Sequence, residues 1–160
     1  MSDAMGGTVT LVIIAFFIVA VLGYLAFNVN YTKAFRMKNK IISVYDDYNG
    51  ECNSKCEKEI KAYANSIGYK PGKLDCSYLS NLISKSSVNA VSVQTTSKNN
   101  LYCRAEIQIK KRASNDSIND FQSRSYYKIA TTISIDIPII KSLFDFGLFW
   151  VSGNTKTYKR

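Results

Sequence analysis

From Thr8 to Phe27 the chain carries twenty consecutive residues without a charge, and thirteen of them are Leu, Ile, Val or Phe. A helix of that length, at about 1.5 Å per residue, spans roughly the 30 Å of a bilayer's hydrocarbon core. With each such side chain contributing about −0.3 to −0.6 kcal/mol, insertion is favoured by roughly 4 to 8 kcal/mol. The competing reading, a buried core helix, needs a large domain to cover an all-round apolar surface, and only about 130 residues follow. A cleavable secretory signal fits poorly as well. The segment Met1 to Gly7 lacks positive charge, the apolar run exceeds a usual signal core, and Leu22-Gly23-Tyr24-Leu25 offers no small-x-small cleavage site. Residues 8–27 are therefore expected to stay attached as a transmembrane helix.

The helical rhythm continues past the span, because residues 28–48 contain neither Pro nor Gly. Tyr31, Ala34, Phe35, Ile41, Ile42, Tyr45 and Tyr48 recur at three- and four-residue steps, while Lys33, Lys38, Lys40 and Asp47 fall largely elsewhere. One helix of about forty residues is predicted. Tyr31, Phe35, Ile41, Ile42, Tyr45 and Tyr48 are the candidate packing positions of its outer half. Asn49-Gly50 is a stop signal.

Residues 49–160 read as a separate α+β domain. A short helix is predicted from Ser54 to Ile67, ended by Gly68 and Pro71-Gly72, and a further helical turn or two from Tyr78 to Lys85. The period then changes to two. Val91, Val93 and Thr95 alternate with polar residues, as do Cys103, Ala105, Ile107 and Ile109, and then Tyr127, Ile129, Thr131, Ile133, Ile135 and Ile137. Lys98-Asn99-Asn100 suits a hairpin turn, and Ser114 to Ser123 is a polar connection. An antiparallel sheet with one wet face is expected, its apolar face sharing a single core with the stripe of the long helix. A last strand, about Leu148 to Tyr158, closes it. Phe144, Phe146, Phe149 and Trp150 lie in the most apolar stretch outside the span and are candidates for core, membrane or subunit contact.

Charge and cysteines pull the topology in opposite directions. Net charge is +9, from 21 basic and 12 acidic residues spread along the chain. Such a balance fits a solvated surface, or affinity for anionic lipid or wall polymer; no specific nucleic-acid partner is expected. Lys33, Arg36, Lys38 and Lys40 closely follow the span, and the positive-inside rule then places the following domain in the cytoplasm. Cys52, Cys56, Cys76 and Cys103, in a small domain of a chain without histidine, argue for two disulfides in an oxidising compartment. A four-cysteine zinc site is the alternative, but it usually shows two close pairs, and only Cys52 and Cys56 are close. Connectivity is open, with Cys76–Cys103 and Cys52–Cys56 favoured because both would link ordered segments. The cysteines are given more weight, together with the Asn, Ser, Thr and Tyr that abound after residue 48, so an extracytoplasmic domain is expected.

Catalytic chemistry finds little support. The commonest general base, histidine, is missing, and no phosphate-binding glycine loop occurs. Ser84-Lys85 and Lys141-Ser142 are sequence neighbours whose side chains point apart. Asp46-Asp47 at a helix C-terminus opposes the dipole and hints at a partner charge. No enzyme activity, cofactor or metal is expected.

A short N-terminal segment ending in Gly6-Gly7, an apolar span running into an amphipathic helix, and a small β-rich domain together resemble type IV pilin-like proteins. More narrowly, Ile133-Ser-Ile-Asp-Ile-Pro-Ile-Ile-Lys-Ser-Leu followed by Val151-Ser-Gly-Asn-Thr-Lys-Thr157 looks like the end of the minor pseudopilins of the tight-adherence (Tad) pilus, the TadE-like proteins. The resemblance implies a leader of residues 1–7 cut between Gly7 and Thr8, and other single-span pilin-like subunits or assembly proteins as partners beside the lipid bilayer. Asp3 stands in the leader, where prepilins are basic, and Val12 where they carry glutamate, losses that a minor or assembly component tolerates best. The implied function is a structural or assembly component of a bacterial surface pilus or secretion apparatus. The alternative is a solitary anchored domain that binds an anionic wall or surface ligand.

Overall fold

A computed structural model describes residues 2–72, 74–86, 90–98, 100–110, 123–134 and 149–159. Within them, α1 (Ser2–Asp47), α2 (Ser54–Ser66) and α3 (Ser77–Ser86) precede β1 (Ala90–Lys98), β2 (Tyr102–Lys110), β3 (Ser123–Thr132), β4 (Trp150–Asn154) and β5 (Tyr158–Lys159). The strands form one antiparallel sheet in the order β1-β2-β3-β4, with β5 also alongside β3.

Nothing interrupts α1 over its 46 residues, and its first turns include the segment read as a leader. No residue of its most apolar stretch is buried within the molecule. Asn49 (φ 50°) and Gly50 (φ 84°) end the helix. The Gly50 N–H donates to the Tyr45 carbonyl at 2.8 Å and the Asn49 N–H to Asp46 at 3.4 Å, the paired bonds of a Schellman cap. The chain then reverses into α2, whose first free N–H groups are met by the Asn53 side chain, which accepts from Lys55 N at 3.0 Å and Cys56 N at 3.1 Å. At its far end Gly68 (φ 60°) repeats the Schellman pattern, with Tyr69 N to Ala64 O at 2.9 Å and Gly68 N to Asn65 O at 3.1 Å. Lys40 meets Glu59 and Lys33 meets Gly68. Numbers falling along α1 thus match numbers rising along α2, which makes the helices antiparallel and brings the end of α2 back toward the span.

The outer half of α1 lies lengthwise along β3 and β4. Phe27 touches Phe149, the Ala34 carbonyl accepts from the Thr131 hydroxyl at 3.1 Å, Ile42 and Lys38 crowd Gly153, and Asp46 accepts from Tyr158 at 2.6 Å. Nineteen helical steps at about 1.5 Å and nine strand steps at about 3.3 Å both span roughly 29 Å, so helix and strand stay in step from end to end. Between β4 and β5 the chain takes four steps where β3 takes three, from Asn154↔Lys128 to Tyr158↔Ser125. Thr155 absorbs the extra residue: its N–H donates to Tyr127 O and its hydroxyl accepts from Tyr127 N, both at 2.9 Å.

Register corrects the expectation of one core and one wet face. Cys103 pairs with Ala130 and Arg104 with Ile129, so the apolar residues of β2 and β3 fall on opposite faces of the sheet. Tyr127, Ile129 and Ile133 join Ala34, Met37, Ile41, Val44, Tyr45, Ile60 and Ala64 under α1 and α2. Cys103, Ala105, Ile107 and Ala130 pack instead with Leu79 and Ile83 of α3. The result is three layers, with both faces of the sheet at least partly covered. Residues 135–137 of the long alternation, the 114–123 connection apart from Ser123, and most of the proline-containing apolar segment lie outside the described residues.

Gly50 and Gly68 share a left-handed backbone in different surroundings. A Cβ at Gly50 would meet the Tyr127 and Tyr158 rings at 2.9 Å, whereas at Gly68 the nearest atom is Lys33 Nζ at 3.6 Å. Gly68→Ala is expected to cost about 1 to 2 kcal/mol for the backbone alone. Gly50→Ala is expected to cost a further 1 to 3 kcal/mol, roughly, as the rings are displaced. Denaturant titration of the detergent-solubilised chain measures both, and equal losses would contradict the ring contact.

Candidate functional site

The place where the domain meets the end of the apolar span gathers the most chemistry. Phe27 is the last residue of that span, and the Phe149 ring packs edge-on against it at 5.2 Å. Tyr31 stacks on Phe27 at 6.2 Å and Phe35 on Tyr31 at 6.4 Å, forming an aromatic ladder up the helix. Tyr31 and Phe35 are 45% and 41% exposed, so they are not the packing residues expected of them. The packing face is Ala34, Met37, Ile41, Val44 and Tyr45, with Ile42 and Tyr48 partly buried beside it. Met37 and Val44 share the helical spacing of Ile41 and were the available signal; the larger aromatics drew attention to the adjacent face. Phe149 and Trp150 also part company, because Phe149 is 42% exposed beside α1 while Trp150 packs against the α3-side cluster. Phe144 and Phe146 lie outside the described residues.

The four cations that follow the apolar stretch are mostly occupied by the fold. Lys40 pairs with Glu59 at 2.6 Å. The Lys38 ammonium sits 4.2 Å from the centre of the Phe35 ring, and burial lowers its pKa. Lys33 donates to the Gly68 carbonyl at 3.4 Å, where α2 presents the negative end of its dipole. Arg36 has no carboxylate partner among the described residues and lines an open cleft of about 510 Å³. Asn28, Val29, Thr32 and Lys33 of α1 form the same wall, and Ser66 at the end of α2 and the next residue, Ile67, face them.

All four cysteines are consumed in disulfides, Cys52–Cys56 with Cα atoms 5.3 Å apart and Cys76–Cys103 at 5.6 Å. The zinc alternative therefore falls, since a disulfide sulfur is no thiolate ligand. Cys52–Cys56 ties the α1–α2 turn to the first turn of α2. Cys76–Cys103 ties the start of α3 to β2. At the other end of the chain a Cβ on Gly7 would meet nothing within 4 Å, and Thr8 is exposed.

A tyrosine cluster occupies the end of the domain far from the span. Tyr45 and Tyr102 share a hydrogen bond at 3.0 Å, and the Arg104 guanidinium lies 5.9 Å from the Tyr45 ring centre and 5.1 Å from that of Tyr127. The Tyr158 ring lies tilted against that of Tyr127, with centres 6.0 Å apart, and its hydroxyl donates to Asp46, which also accepts the Lys156 N–H at 3.0 Å. Asp46, suspect at a helix C-terminus, thus anchors the last strand. Burial raises the Tyr102 and Tyr158 pKa values, helped by Tyr45 in the first case and by the Asp46 bond in the second. Tyr69 is likewise raised by burial, its hydroxyl donating to Thr132 O at 2.9 Å and accepting from Thr132 N at 3.2 Å. These contacts are structural, joining Tyr102 and Tyr158 to α1 and Tyr69 to the end of β3. Against protein-family models, curated proteins and solved structures, the chain has no match.

Two stability outcomes follow from this geometry. Replacing Cys76 and Cys103 together by Ala should cost about 3.5 kcal/mol for a 27-residue closure, and the Cys52/Cys56 pair about 2 kcal/mol for a four-residue one. Denaturant midpoints under non-reducing conditions read both. Because the raised tyrosines hold protons more tightly when folded, their contribution to stability should be level up to about pH 10, where unfolded tyrosine ionises, and fall above it. Tyr158→Phe should make that alkaline fall shallower; an unchanged slope would refute the burial of its hydroxyl.

Proposed function

We propose that this chain is a membrane-anchored structural or assembly subunit of a bacterial surface pilus or secretion apparatus, similar in build to minor pilins, with its disulfide-bonded domain outside the cytoplasm. The observation that carries the reading is the unbroken α1. Its outer half is packed along the sheet, and its inner half is exposed on every side, with Phe16 and Phe17 at 67% and 68%. So apolar a surface has to be covered by lipid, by other helices or by both. A continuous helix shared by membrane and domain transmits the position of one to the other, which a flexible tether would not do.

The cation contacts ease the conflict over topology. Lys33, Lys38 and Lys40 each have a use within the folded domain, so their position after the span has a cause apart from orientation. The two disulfides favour an oxidising compartment. Among the described residues β1 forms one edge of the sheet, and a strand edge is a place where a neighbour can pair.

A photo-crosslinking residue placed at Phe16 or Phe17 is expected to join the chain to other single-span proteins in native membranes. Labelling intact cells with an impermeant thiol reagent should modify the four cysteines only after reduction. Adducts with lipid alone would defeat the assembly role, and labelling that requires permeabilisation but no reduction would defeat the outward orientation.

A further inference from the structure

We propose that the cleft between α1 and the end of α2 binds the phosphate headgroup of an anionic phospholipid in the leaflet from which α1 emerges. This rests on α1 crossing a bilayer and not on what the subunit assembles with. Depth is the first argument. Counting about 1.5 Å per residue from Phe27, Asn28 and Val29 stand roughly 2 to 3 Å beyond the hydrocarbon edge, Lys33 about 9 Å and Arg36 about 14 Å. A headgroup layer is roughly 5 to 8 Å thick on each side, so the lower wall of the cleft lies within it. Lys33 and Arg36 can reach down into that layer on their long stems.

Orientation is the second. Because α2 runs antiparallel to α1, its last turn points back at the membrane and stops near the level of Lys33. That leaves beneath it a space bounded by one helix wall and open toward the lipid. Tyr31, stacked on Phe27 and by the same count about 6 Å beyond the hydrocarbon edge, lies within the headgroup layer, where tyrosine is favoured.

Chemistry is the third. Among the described residues the lining supplies two cations and the Asn28 amide and no carboxylate, while Val29 and Ile67 provide apolar surface suited to the glycerol end of a lipid. The Thr32 and Ser66 hydroxyls already donate within their own helices, to Asn28 O at 2.8 Å and Tyr63 O at 2.8 Å, so phosphate would be held by Lys33, Arg36 and Asn28. Arg36 suits this role, since its planar fork matches phosphate oxygens and it has no ion pair among the described residues.

Native mass spectrometry of the full chain in neutral detergent, titrated separately with phosphatidylglycerol and phosphatidylcholine, tests the assignment. Phosphatidylglycerol is expected to bind more tightly by about fivefold for each engaged cation. Arg36→Gln and Lys33→Gln should each remove about one such factor, while Lys40→Gln, which removes a cation outside the cleft, should leave the preference unchanged. Equal binding of the two lipids overturns the proposal, as does a preference that survives both cleft variants. Displacement of phosphatidylglycerol by millimolar inorganic phosphate would also overturn it, by making free phosphate the occupant.

Discussion

The lengthwise contact of the outer half of α1 with β3 and β4 is the constraint on which the remaining structure depends. A helix advances slowly per residue and a strand quickly, so the two keep company only where about two helical residues pass for each strand residue. Side chains mark this pairing at intervals, from Phe27–Phe149 through Ala34–Thr131 to Asp46–Tyr158. Gly153 lets β4 approach closely where Ile42 and Lys38 cross it, and the extra residue at Thr155 re-aims the chain so that Tyr158 reaches Asp46. With these in place, the end of the chain is fastened to the helix that begins it.

That spine also explains the crowding of cations just beyond the span. A strip of helix that packs on the sheet with one face and on α2 with another leaves flanks where long side chains lie across neighbouring surface. Lys38 does this over Phe35 and Gly153, Lys40 at Glu59 and Lys33 at the end of α2. A signal that sequence rules assign to membrane orientation is used here by tertiary structure. Disulfides and basic residues then need not contradict each other.

An unbroken helix that joins the apolar stretch to the domain has a mechanical corollary. Any force or contact felt by the apolar helix is delivered to the sheet without a hinge, and the reverse holds too. Subunits that assemble through helices in the bilayer while presenting a domain beyond it gain from such coupling. A phospholipid seated under α2 would fix the height and tilt of the whole body, adding a polar restraint to the aromatic one.

Much of this was legible in the residues themselves. The long helix, its stop at Asn49-Gly50, α2, α3 and the alternating strands follow from local pattern, because charge, period and capping act over a few residues. Both disulfides were among the readable pairings. What the pattern left open was which face meets which. Alternation in β2 and in β3 looks identical whether their apolar sides share a face, and pairing Cys103 with Ala130 instead of Ile129 put them on opposite faces, one under α1 and the other under α3. The exposure of the aromatic ladder has a related cause: Tyr31 and Phe35 lie beside the buried stripe, and only the sheet's position decides which of two adjoining apolar strips is covered. Sequence determined that a basic, cysteine-bearing α+β domain rides on an apolar helix, since those properties are local or compositional. Tertiary structure decided the register, the two cores and the basic cleft, since each depends on residues distant in sequence whose approach no local pattern encodes.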